Sequence, residues 1–83
     1  MKKIIIYSTP ICPYCTRAKM LLKRKEAPFE EIIITDDKSR EEMIAKAGGK
    51  RTVPQIFIDD KHIGGCDELY ALESDGKLDG LLN

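Results

Sequence analysis

The stretch Lys3-Ile4-Ile5-Ile6-Tyr7-Ser8-Thr9-Pro10-Ile11-Cys12-Pro13-Tyr14-Cys15 carries a short apolar run, a turn bracketed by two prolines, and two thiols two residues apart. Lys3 to Ser8 is continuous and β-branched, which reads as a buried strand. A helix-compatible segment, Thr16 to Lys25, follows. Pro13 suits the first turn of that helix, where its missing N–H would have no partner anyway. Cys15, Ala18 and Leu22 keep an i, i+3, i+7 spacing with Leu21 beside them, leaving Arg17, Lys19, Lys23 and Arg24 for water. A helix that starts just inside the motif puts Cys12 at its positive end and Cys15 one turn deeper. A C-x-x-C at a strand-to-helix junction is suited to reversible disulfide chemistry.

The thiolate is the nucleophile, and a free cysteine has a pKa of roughly 8.5. A helix N-terminus stabilises an anion by about 0.3–1 kcal/mol, or ~2 in sheltered geometry. At about 1.36 kcal/mol per unit, this lowers a thiol pKa by roughly one unit. A larger shift needs direct hydrogen bonds, for which the N–H groups of Tyr14 and Cys15 are the candidates, since Pro13 has none. The residues thus point to dithiol exchange. Cys12 attacks a disulfide and forms a mixed disulfide, and Cys15 then attacks Cys12.

Beyond Pro28, Phe29 to Thr35 reads as a second strand weighted on Ile32-Ile33-Ile34. Ser39 and Glu42 have the spacing of a capping box, Met43, Ile44 and Ala47 give the helix an apolar stripe, and Gly48-Gly49 stops it. Gln55 to Asp59 is a third strand. Asp60-Lys61 is expected to turn into a short fourth strand, His62-Ile63. Gly64-Gly65 breaks that strand, and Asp67 is expected to N-cap a last helix carrying Leu69, Tyr70 and Leu72. Leu78, Leu81 and Leu82 are expected to fold the tail onto the core. The order β-α-β-α-β-β-α predicts one mixed sheet with helices on both faces, the first two strands parallel with a right-handed crossover and the last two antiparallel.

With 83 residues, 42% of them hydrophobic, the chain is expected to form one domain, 1–83, large enough to fold without a disulfide or metal. Lys plus Arg and Asp plus Glu each total 14, so charge gives no argument for nucleic acid or an anionic membrane as a partner. No apolar run approaches the roughly 20 residues of a membrane span. The run after Met1-Lys2-Lys3 is shorter than the about 7–15 residues of a signal core. A cytoplasmic protein is expected. Three cysteines, an odd number, do not make a secreted disulfide framework.

Each remaining candidate has a plainer reading beside it. Cys12, Cys15, His62 and Cys66 make up a Cys3His set of the kind structural zinc uses, but H-x3-C spans a glycine break and Pro13-Tyr14 leaves few N–H groups to support metal thiolates. No metal is expected. Cys66 alone reads as a small buried hydrophobe, and His62 as a half-exposed strand residue. Gly64-Gly65-Cys66-Asp67 could bind an anion at a helix start or simply turn the chain. Arg51 and Lys50 could hold a carboxylate or be solvated. Tyr14 could line the site or shield it. Pro54 is acceptable at a strand start, and a cis bond there is uncommon, about 5–6% of X–Pro bonds.

Together, Cys12-Pro13-Tyr14-Cys15, Arg51-Thr52-Val53-Pro54-Gln55-Ile56-Phe57-Ile58 and His62-Ile63-Gly64-Gly65-Cys66-Asp67-Glu68-Leu69 resemble the glutaredoxin family, in particular its short bacterial dithiol type, over essentially the whole chain. The resemblance implies a thioredoxin fold with cis Pro54 and a glutathione-dependent thiol–disulfide oxidoreductase. Its partners would be glutathione and disulfide-bearing or glutathionylated proteins, ribonucleotide reductase among those admitted. It implies glutathione as co-substrate with no bound cofactor, a monomer, and a role in electron transport and cell redox homeostasis. Cys12 corresponds to the nucleophile and Cys15 to the resolving thiol. Tyr14 lines the groove, Thr52 and Val53 pair, mainly through backbone, with the cysteinyl part of glutathione, and Pro54 belongs to the same glutathione-binding set. Cys66 and Asp67 hold its γ-glutamyl end. Many members carry Lys three residues before the first cysteine. Thr9 stands there in this chain, and Arg51 is the candidate replacement for the carboxylate anchor. The rival readings are a redoxin served by thioredoxin reductase, an iron–sulfur carrier, and a zinc module.

Overall fold

A computed structural model describes residues 2–82. Its elements run β1 (Ile4–Ser8), α1 (Pro13–Arg24), β2 (Glu30–Ile33), α2 (Asp37–Lys46), β3 (Gln55–Ile58), β4 (Lys61–Gly64), α3 (Cys66–Ser74) and α4 (Leu78–Leu82). The expected order thus holds, with one addition: the tail that carries Leu78 and Leu82 is a short helix. Both leucines are buried in the core.

The strands form one sheet in the order β2-β1-β3-β4. β1 pairs parallel to β2 and antiparallel to β3, and β3 pairs antiparallel to β4. The two central strands alternate their side chains between the faces, as the pleat requires. Ile4, Ile6, Ile56 and Ile58 face one core with Ala18, Leu21 and Leu22 of α1 and Leu69 of α3. Tyr7 and Phe57 face the other, with Met43 and Ala47 of α2. Helices therefore cover both faces, the mixed-sheet architecture of the thioredoxin fold.

Three local expectations shift. Ser39 does not cap α2; it is the third helical residue, and its N–H donates to the Asp36 carboxylate at 2.8 Å. A carboxylate at the positive helix end is a charged acceptor, so the helix begins where Asp36 can serve it. Asp67 does not cap α3 either. Gly65 is the cap residue, and the Glu68 carboxylate accepts from its N–H at 2.8 Å. The β3–β4 turn is Asp59-Asp60, one residue earlier than expected. Both residues have left-handed φ, 50° and 66°, as a two-residue type I′ hairpin needs. Asp tolerates that region better than Lys, and Lys61 pairs with Ile58 instead. Gly48 and Gly49 end α2 at φ 66° and 94°, as expected.

Candidate active site

The turn after β1 delivers Cys12 to the start of α1. Cys12 is the extended N-cap residue and Pro13 occupies the first turn. Cys12 and Cys15 are joined as a disulfide with Cα atoms 5.2 Å apart. The Cys15 N–H donates to Cys12 Sγ at 3.1 Å, one of the two amide contacts anticipated from the sequence. That geometry stabilises negative charge on the same sulfur once the disulfide opens. Cys15 is 1% exposed, whereas Cys12 is half-buried and flanked by exposed Ile11, Pro13 and Tyr14.

Three segments distant in sequence meet beside Cys12. A groove of about 350 Å³ is lined by Tyr14, Thr52-Val53-Pro54 and Gly65-Cys66-Asp67-Glu68. The Val53–Pro54 bond is cis, as the resemblance implies, and the Val53 carbonyl oxygen lies 3.9 Å from Cys12 Sγ. Gly65 eases the close approach, since a Cβ there would meet the Pro54 carbonyl oxygen at a tight 3.2 Å. Six of the expected groove residues therefore converge: Tyr14, Thr52, Val53, Pro54, Cys66 and Asp67. Arg51 is exposed, off this lining, and its carbonyl accepts from Arg40 Nη1 at 3.3 Å. Glu68 was not singled out as a site residue. Its position three residues after Gly65, the spacing at which a Glu side chain reaches a cap N–H, is the signal that could have found it.

Burial pushes the Cys66 thiol above its ordinary pKa; the Arg17 charge pulls it down, and Asp67 and Glu68 push it up. Cys66 is thus a buried thiol held in its protonated, weakly nucleophilic form. His62 Nε2 is 2.7 Å from Gln55 Oε1. Among the described residues no three His, Cys, Asp or Glu side chains gather to hold a metal ion, and no helix is long and apolar enough to cross a membrane.

Below the Thr9–Cys12 turn, buried Ser8 Oγ donates to Glu31 Oε2 at 2.6 Å, and Lys19 Nζ donates to the same oxygen at 2.8 Å. The Lys19 ammonium first, then Ser8, hold the Glu31 carboxyl below its ordinary value of 4.5. A depressed carboxylate stabilises the fold above its unfolded pKa and loses that contribution as pH falls through its folded value. The stability difference between wild type and Glu31→Gln is therefore expected to close as pH drops from neutral to below 4.5. Urea unfolding at stepped pH reads this directly; a gap that does not change with pH contradicts it.

A mixed sheet with helices on both faces, a cis-proline turn facing a helix-capping cysteine, and a second, buried cysteine one turn on define a thioredoxin-fold thiol–disulfide oxidoreductase. A glutaredoxin family model matches residues 4–63. A probable glutaredoxin of Synechocystis sp. is 58% identical over 82 residues, covering 98% of this chain and 93% of the relative. Glutaredoxin 3 of Escherichia coli is 51% identical over 82 residues, covering 99% of each. The crystal structure of a buckwheat glutaredoxin–glutathione complex superposes with a TM-score of 0.87 at 34% identity, covering 98% of this chain and 76% of that one. The chain belongs to the glutaredoxin family, and its chemistry is thiol–disulfide exchange.

Proposed function

We propose that this chain, folding as a single domain over residues 1–83 and acting as a cytoplasmic monomer, uses glutathione to reduce protein disulfides and glutathione mixed disulfides. The observation that carries the reading is the pairing of one reachable sulfur, on Cys12, with an adjacent groove fit for a small peptide. The Cys12 thiolate attacks a mixed disulfide R–S–S–G. The new bond between Cys12 Sγ and the glutathionyl sulfur forms as the sulfur–sulfur bond of R–S–S–G breaks, and R–S⁻ leaves to be protonated. A second glutathione thiolate then attacks the glutathionyl sulfur, releasing oxidised glutathione and restoring Cys12. With a protein disulfide, Cys15 attacks Cys12 Sγ instead, expels the reduced protein and leaves the Cys12–Cys15 disulfide for glutathione to reopen.

Thr52, Val53 and Pro54 suit the cysteinyl part of the tripeptide, and Tyr14 walls it. At the start of α3 the amides of Cys66 and Asp67 suit the γ-glutamyl carboxylate, and the Asp67 side chain suits its ammonium. That a buckwheat relative is known in complex with glutathione supports glutathione as the ligand. Turnover of a glutathionylated peptide with glutathione, glutathione reductase and NADPH is the test. Activity only when thioredoxin reductase replaces the glutathione couple would overturn the reading in favour of the rival redoxin.

Thr9 bears on affinity. Its hydroxyl is 3.5 Å from the Ile11 carbonyl oxygen, and it brings no cation to the glycine carboxylate of a bound tripeptide. Arg51 lies off the groove lining and, held where it is, does not supply one. Thr9→Lys is expected to lower KM for a glutathionylated peptide by roughly 1.5- to 5-fold, the range of an exposed ion pair. The gain should fade in high salt. An unchanged KM at low salt rules out this role for position 9.

A further inference from the structure

Gln55 is 1% exposed at the start of a strand whose other residues, Ile56-Phe57-Ile58, are all apolar. A buried amide at such a position costs stability unless its hydrogen bonds are made. Both ends of the amide are engaged here. Gln55 Nε2 donates to the Thr52 carbonyl oxygen at 2.9 Å and lies 3.3 Å from Thr52 Oγ1. A carbonyl oxygen can only accept, which fixes the orientation of the amide and turns Oε1 towards His62. His62 Nε2, 2.7 Å from Oε1, must therefore carry its proton and donate. The imidazole is itself held against the Phe57 ring, centroids 5.1 Å apart.

From this we propose that Gln55 and His62 form a clasp that positions the Thr52–Pro54 turn opposite Cys12, making both positioning residues for the exchange reaction. The amide ties residue 55 back to residue 52. It thereby closes a loop whose middle member, Val53, presents its carbonyl 3.9 Å from Cys12 Sγ. His62 keeps the amide from rotating away, and neither side chain lines the groove. An unclasped turn spends only part of its time in the receptive arrangement, so apparent substrate affinity falls by that fraction, while the chemistry at Cys12 Sγ is untouched. The inference rests on the proposal that this turn receives the substrate's cysteinyl backbone.

The test compares His62→Phe, which keeps a ring on Phe57 but loses the donor, with His62→Gln, which restores an N–H at similar reach. Each is assayed on a glutathionylated peptide with glutathione and on a plain peptide disulfide with dithiothreitol, which carries no tripeptide. KM of His62→Phe is expected to rise roughly two- to tenfold on both substrates, the range of one lost hydrogen bond, with kcat unchanged and His62→Gln near wild type. Gln55→Leu should show the same rise, and the double variant Gln55→Leu/His62→Phe no further rise, because the two act as one unit. The His62 pair, on an edge strand, keeps the test decisive if Gln55→Leu fails to fold. An unchanged KM for folded His62→Phe, or His62→Gln as impaired as His62→Phe, overturns the clasp. If wild type itself ignores the glutathionylated peptide, the glutathione reading fails, and the plain disulfide still decides the clasp by the same criteria.

Discussion

Replacing Cys12 with Ser is expected to abolish both activities, reduction of protein disulfides and release of glutathione from mixed disulfides. No other described sulfur can take over. Cys15 is 1% exposed and packed into the core behind Cys12, and Cys66 is 5% exposed with its thiol pKa raised by burial. A serine hydroxyl receiving the Cys15 N–H remains a far weaker nucleophile at neutral pH than a thiolate held there. Loss of a nucleophile with no substitute typically costs on the order of 10³-fold or more in rate. Steady-state turnover with the glutathione couple measures it, with circular dichroism showing that the fold is kept. Residual activity within about tenfold of wild type is incompatible with Cys12 as the entry point.

Cys15→Ser is expected to separate the two activities. Reduction of a glutathione mixed disulfide needs only Cys12 and a second glutathione, so it should persist. Reduction of a protein disulfide passes through a covalent protein–Cys12 adduct that the neighbouring thiol resolves. Cys15 sits one helical turn away with its Cα 5.2 Å from that of Cys12, so its attack is intramolecular. Such placement is equivalent to a reactant concentration of about 10⁵ M or more in favourable cases, which free glutathione cannot approach. Turnover on a protein disulfide is expected to fall by at least about 10²-fold, with the mixed adduct visible on a non-reducing gel. Equal behaviour of Cys12→Ser and Cys15→Ser would remove the division of labour between the two sulfurs.

Cap and turn positions were only partly legible, because several acceptable residues stand close together. Asp36 and Ser39 can each cap a helix, and the carboxylate prevailed at the helix's positive end. Gly65 rather than Asp67 caps α3 because Glu68 reaches back to the Gly65 N–H. The Asp59-Asp60 turn was misplaced by one residue because its type depends on the register of the strands it joins. The tail's leucines announced burial, but a five-residue segment is too short for periodicity to declare a helix.

The order of strands and helices, the seating of Cys12 at a helix start, and the dithiol itself are local properties: β-branched runs, apolar spacing and proline placement specify them within a dozen residues. The fold and the exchange chemistry were accordingly legible along the chain. The groove was a different matter, because Tyr14, Val53 and Cys66 become neighbours only when β1 pairs with β3 and α3 packs on α1. Tertiary packing also brought Glu68 to the lining while leaving Arg51 outside it. It likewise linked Gln55 to His62 across the β3–β4 pair. Such contacts depend on register and on the direction each side chain leaves its element, quantities set by the packing of the whole molecule and by no short segment of it.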